Sequence, residues 1–138
     1  MSAFRMYVRV VSPTLTPEEI SDRLGLQPDE AHAVGSRRRP DHPPRAFTSW
    51  MRHATAATPE ARPEDLEPVV LGWGHEFARA LGQLADAGGE VSLVIVQRIE
   101  DPENTAATGI FLGRPLIDWL STAKGSLDID QYVHHDCR

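Results

Sequence analysis

Asp128, Asp130 and Tyr132 occupy alternate positions of the closing segment SLDIDQYV. On an extended strand successive side chains point to opposite faces, so these three share one face. Two carboxylates side by side can exchange protons in general acid–base work or hold a divalent cation. Near the other end of the chain, Arg5 and Arg9 flank Tyr7 in FRMYVRV, also at even spacing. If the first and last strands are neighbours, arginine and aspartate pair across the sheet instead. Each such contact contributes a few tenths to about 1 kcal/mol. The residue types allow either role, structural pairing or contact with a ligand.

A second group of charges lies in GSRRRPDHPPR, where Arg37, Arg38, Arg39 and Arg45 gather around a single acid, Asp41. Pro40, Pro43 and Pro44 interrupt any regular hydrogen-bonded element there. The spacing predicts an exposed, irregular loop over residues 36–46. Guanidinium forks suit phosphate or carboxylate partners. The loop is either a solvated connection or an electrostatic contact, with Trp50, Arg52 and His53 close by in sequence to extend it.

The tail HHDCR offers His134, His135, Asp136 and Cys137, all types that bind transition metals. Zinc needs about four converging ligands, and adjacent residues on a strand diverge, so no metal is expected and residues 134–138 read as a flexible tail. Cys137 has no basic neighbour or helix N-terminus to activate it as a nucleophile. His75, off the apolar stripe of a helix, reads as a boundary residue. There is no phosphate-cradling glycine loop, HExxH, paired CxxC or GxSxG elbow, so no cofactor and no catalytic residue is assigned.

The elements that position these groups follow from periodicity. In FRMYVRVV, residues Phe4, Met6, Val8 and Val10 alternate with Arg5, Tyr7, Arg9 and Val11, a strand with one apolar face. TPEE starts a helix: Thr16 caps, Pro17 fits the first turn, Glu19 completes a capping box, and Gly25 stops it. Residues 28–63 form a Pro/Arg-rich irregular segment, with one strand inside it around AFTSWMRHA. One long helix is predicted from about Glu64 to Ala87, with Leu66, Val70, Trp73, Phe77, Leu81 and Leu84 as its apolar stripe. VSLVIVQRI then reads as a central strand, PLIDWLSTAKG as a short helix and SLDIDQYV as the last strand. The order predicts a single α+β domain over 1–138, a two-layer sandwich whose mostly antiparallel or mixed sheet carries its helices on one face.

At 138 residues and a formal charge of −6, with 20 acidic groups, the chain lacks the basic balance that nucleic-acid binding normally relies on. No apolar run approaches the roughly 20 residues a membrane span needs. The opening MSAFRMYVRV reads as a strand, not a secretory signal, and a single cysteine allows no internal disulfide, so a cytoplasmic location is expected.

With the elements placed, the chain resembles a family of small bacterial proteins, domain of unknown function 4279. The resemblance rests on FRMYVRV, TPEEISDRLGLQPDEAHAVG, a lone Trp50 beyond a variable basic loop, and SLDIDQY, in that order. It implies an α+β fold and brings no activity with it. The small acidic build points to a non-catalytic module that binds another protein, of an accessory or immunity-like kind. The alternative is a small-ligand-binding protein or enzyme that uses the polar sheet face of Arg5, Arg9, Asp128, Asp130 and Tyr132.

Overall fold

A computed structural model describes residues 2–55, 61–100, 103 and 108–133, the side chains of residues 2 and 3 excepted. The elements run β1 (Ser2–Ser12), α1 (Pro17–Leu24), β2 (Glu30–His32), β3 (Thr48–Ala54), α2 (Pro63–Gly72), α3 (His75–Asp86), β4 (Glu90–Ile99), α4 (Arg114–Thr122) and β5 (Ser126–Val133). The five strands form one sheet in the order β2-β3-β1-β4-β5. All neighbours are antiparallel except β4 and β5, which run parallel. A parallel pair needs a crossover, and α4 lies within it. The result is the α+β arrangement expected, with a mixed sheet and its helices packed on it.

Alternation in β1 sets the core. Phe4, Met6, Val8 and Val10 face the helices and are 8% exposed or less, while Arg5 and Arg9 on the opposite face are open. Val91, Leu93 and Ile95 of β4 continue the apolar layer beside them. The first helix is closed as its sequence predicts. The Glu19 N–H donates to Thr16 Oγ1 at 3.1 Å and the Thr16 N–H to Glu19 Oε1 at 3.2 Å. Gly25 ends it, donating to the Ser21 carbonyl at 2.8 Å. Ile20 and Leu24 are buried beneath it.

The long helix predicted over 64–87 is two helices. The chain tightens at Trp73 and Gly74, whose N–H groups donate to Val70 and Leu71. Gly74 then takes φ 97, a region that side chains make costly, so a glycine is what allows the break. The apolar stripe survives because both pieces bury it: Leu66 and Val70 from α2, Phe77, Leu81 and Leu84 from α3. At the break the Gly74 carbonyl accepts from the Trp119 indole at 3.1 Å as well as from the Ala78 N–H at 3.4 Å. Trp73, Phe77 and Trp119 meet there with ring centroids 5.7 to 6.4 Å apart. Helices α3 and α4 approach closely at Gly82, where an added Cβ would lie 2.7 Å from the Thr122 carbonyl oxygen.

The helical layer does not reach the whole sheet. Helix α2 lies on β1 and β3, α3 on β4, and α4 on α2 and α3, while β5 packs extensively only against β4. Leu127, Ile129 and Val133, which point to the helix side of β5, remain 43%, 41% and 42% exposed. Among the described residues no helix is long and apolar enough to cross a membrane.

Candidate functional site

Strand register lays out the uncovered face in rows. His53 of β3, Tyr7 of β1, Val94 of β4 and Asp128 of β5 stand in one row. Arg5, Val96 and Asp130 form the next, with Arg98 and Tyr132 beyond it. Arg9 lies in a row with Met51, Ser92 and Ser126 on the other side. The alternation of each strand sends these side chains away from the helices. Arg5, Tyr7, Arg9, Asp128, Asp130 and Tyr132 therefore do share one face.

Direct pairing between Arg5 or Arg9 and the aspartates does not occur. Strand β4 separates β1 from β5, so two strand spacings, roughly 10 Å, lie between the backbones. No Arg5 or Arg9 guanidinium comes within 4.0 Å of a described carboxylate. The reason is the strand order: the pairing requires the first and last strands to be neighbours, and β3 and β4 already hold both edges of β1. Val94 fills the gap between Tyr7 and Asp128 and is itself only 3% exposed. Tyr7 is tilted against the His53 ring with centroids 5.1 Å apart. Burial raises the Tyr7 hydroxyl pKa above its ordinary 10.0; Arg5 and Arg9 oppose that shift and Asp130 and Asp128 reinforce it.

At one end of this face Arg5, Arg98 and Tyr132 surround Val96 in an open depression of about 370 Å³. Two guanidinium groups and a phenol around an apolar floor can hold a carboxylate or phosphate. Arg98 was not among the residues singled out from sequence. It closes what reads as an apolar run, and the signal that finds it is the phase shared by Ser92, Val94, Val96 and Arg98. A second, wider depression lies where β4 and β5 begin, but its one basic group, Lys124, is already held 2.7 Å from both Asp86 oxygens. Among the described residues no three His, Cys, Asp or Glu side chains gather to hold a metal. The HHDCR tail lies outside the described residues.

The basic loop is irregular and mostly exposed, as its prolines require, yet its neck is tied. Gly35 donates to the Arg45 carbonyl and Arg45 to the Ser36 carbonyl, both at 2.8 Å. Arg45 Nη1 also donates to Ser36 Oγ at 3.0 Å, and Arg37 Nη1 folds back onto the His42 carbonyl at 2.7 Å. Arg38 and Arg39 are left pointing outward. Phe47, outside β3 rather than in it, is exposed at the foot of the loop.

Two expected extensions of the loop belong to the core side instead. Trp50 is 0% exposed, and its indole donates to Ser21 Oγ at 3.0 Å, so it presents no surface to a partner. The phase of β3 explains this: Trp50 pairs with Val10, on the apolar face of β1. Arg52, in the same phase, lies over the Trp73 ring at 5.7 Å and donates to the Gln27 carbonyl at 2.6 Å. His53, in the opposite phase, remains on the uncovered face.

The chain matches the family described as Domain of unknown function (DUF4279) over residues 2–134, nearly its whole length, and it belongs to that family. No curated protein and no solved structure matches it significantly.

Proposed function

We propose that this member of the family is a non-catalytic binding module that engages another protein through its uncovered sheet face and the adjoining basic loop. The observation that carries this reading is the one-sidedness of the sheet. The helices lie on one face, while the other presents Arg5, Arg9 and Arg98 beside Asp128 and Asp130, broad and charged, and its depression around Val96 is open to solvent. Polar, charged surfaces of that breadth give specificity and fast association more readily than they enclose a small substrate. The tied neck of the loop holds Arg38 and Arg39 outward at low ordering cost, which favours contact. An accessory or immunity-like role in the cytoplasm is the form suggested by the small acidic build and single cysteine.

The test is capture on the immobilised full chain, followed by reconstitution with the purified captured protein. Changing Arg37, Arg38 and Arg39 together to Ser, or Arg5 and Arg9 to Ser, should weaken the purified complex about tenfold, and added salt should weaken it in the same direction. A complex indifferent to every one of these changes overturns the reading.

A second reading has its own observation, the depression around Val96. There the protein binds a small carboxylate or phosphate between Arg5 and Arg98, with the Tyr132 hydroxyl as a further donor. Titration calorimetry with inorganic phosphate, on wild type and Arg98→Ser, separates the two.

A further inference from the structure

Strand β5 runs for eight residues along the outer edge of the sheet, and among the described residues its outward hydrogen-bonding groups meet no other strand. Natural sheets usually protect such an edge with short strands, bulges, prolines or a covering element. The opposite edge of this sheet follows that rule, since β2 is only three residues long. Strand β5 has no proline, and the helical layer stops short of it. Its two faces differ in chemistry. Leu127, Ile129 and Val133 lie open on the helix side, and Asp128 and Asp130 stand in line on the other.

We infer that the free edge of β5 accepts an extended segment of another protein whose residues alternate apolar and basic. Such a segment adds a sixth strand. Its backbone satisfies the outward groups of β5, its apolar side chains cover Leu127, Ile129 and Val133, and its cations face Asp128 and Asp130. Charge disfavours the simplest competitor, a second copy of β5 paired along most of its length. An antiparallel self-pair overlapping Ser126–Tyr132 sets Asp128 opposite Asp130, and one overlapping Leu127–Val133 sets Asp130 opposite itself. Like charges directly opposite one another destabilise a strand pair. The aspartates thus discourage self-association while attracting a strand of opposite sign. This inference rests on the protein-binding reading and assigns that reading a second contact, away from the basic loop.

The experiment uses the full chain and a peptide of the length of β5 in which arginine alternates with valine. A peptide of the same composition, with its valines and arginines in separate blocks, controls for general attraction to an acidic protein. The alternating peptide should bind, slow hydrogen exchange at the β5 amides that β4 leaves unbonded, and outcompete the block peptide about tenfold. Reversing Asp128→Lys and Asp130→Lys should abolish that preference and transfer binding to a peptide alternating valine with glutamate. Asp128 is exposed and Asp130 half-buried, so a thermal melt of the variant verifies its fold.

Equal binding of the alternating and block peptides, or protection that falls on the basic loop instead of β5, overturns the inference while leaving the protein-binding reading intact. Concentration-dependent dimers that protect β5 without peptide overturn the assigned occupant. The converse is also separable. A peptide seated on β5, beside a native complex indifferent to the loop and β1 arginines, sinks the docking surface proposed above and keeps this one.

Discussion

Strands β1 and β5 carry the same sequence pattern and meet different surroundings. In both, apolar side chains alternate with charged residues and a tyrosine. Phe4, Met6, Val8 and Val10 of β1 are 8% exposed or less, while Leu127, Ile129 and Val133 of β5 are each above 40%. The difference is not in the strands but in what lies over them: α2 covers β1, and no helix packs extensively on β5. Alternation therefore reports that a strand has two unlike faces, and the neighbouring layer decides whether the apolar one is used internally or left for something else.

The largest effect should come from breaking that symmetry by equal chemistry on both strands. Met6→Ala, at a site 1% exposed, should destabilise by about 2–5 kcal/mol in chemical denaturation. Ile129→Ala should cost about 1 kcal/mol or less, since much of its surface never leaves water. Equal losses would mean that β5 is covered in solution. The next largest tests the helical layer itself. Gly82→Ala forces a Cβ against the Thr122 carbonyl, with a cost of about 1–3 kcal/mol. That outweighs the helix-propensity gain of about 1 kcal/mol, so the melting temperature should fall. A rise would show that α3 and α4 can separate cheaply, and that the covered face is held less tightly than its burial indicates.

Smaller still is the effect of the loop. Replacing Arg37, Arg38 and Arg39 together by Ser should change stability by about 0.5 kcal/mol or less per position. Arg37 should account for most of it through its bond to the His42 carbonyl. Single variants compared by thermal melts check that order. The smallest effect is at alkaline pH on the uncovered face. Burial favours the neutral Tyr7 hydroxyl and raises its pKa in the folded protein. The unfolded chain therefore releases that proton first, and stability falls as pH rises above 10.0 and through the raised folded value. Tyr7→Phe should lose less stability than wild type over that range; identical slopes would place the Tyr7 ring in water.

Local signals carried most of the architecture. The capping box at Thr16, the alternation of β1, the position of α4 between Pro115 and Gly125, and the closing strand are all short-range chemistry and all form where the sequence puts them. The break at Trp73–Gly74 was hidden by a stripe that stays in phase across it. Strand β2 is too short for periodicity to register. For the candidate site, the loop's irregularity and the shared face of Arg5, Arg9, Asp128, Asp130 and Tyr132 were legible from spacing. Which strand stands beside which was not, because a parallel pairing through α4 is a long-range event. That one choice of neighbour removed the expected ion pairs and brought in Arg98. Trp50 was misplaced for a subtler reason: the phase of β3 decides its face, and neither the arginine loop before it nor its residue type sets that phase.

The aromatic residues are sorted by face, which gives the molecule two separate optical reporters. All three tryptophans, Trp50, Trp73 and Trp119, lie in or against the helix–sheet core, and both tyrosines, Tyr7 and Tyr132, stand on the uncovered face. Indole emission therefore follows the integrity of the interior and shifts to longer wavelength when helices leave the sheet. Phenol absorbance near the ultraviolet edge follows the outside. A molecule that settles on the charged face should perturb the tyrosine signal while the tryptophan emission maximum stays still, and one that wedges into the helical layer should do the reverse.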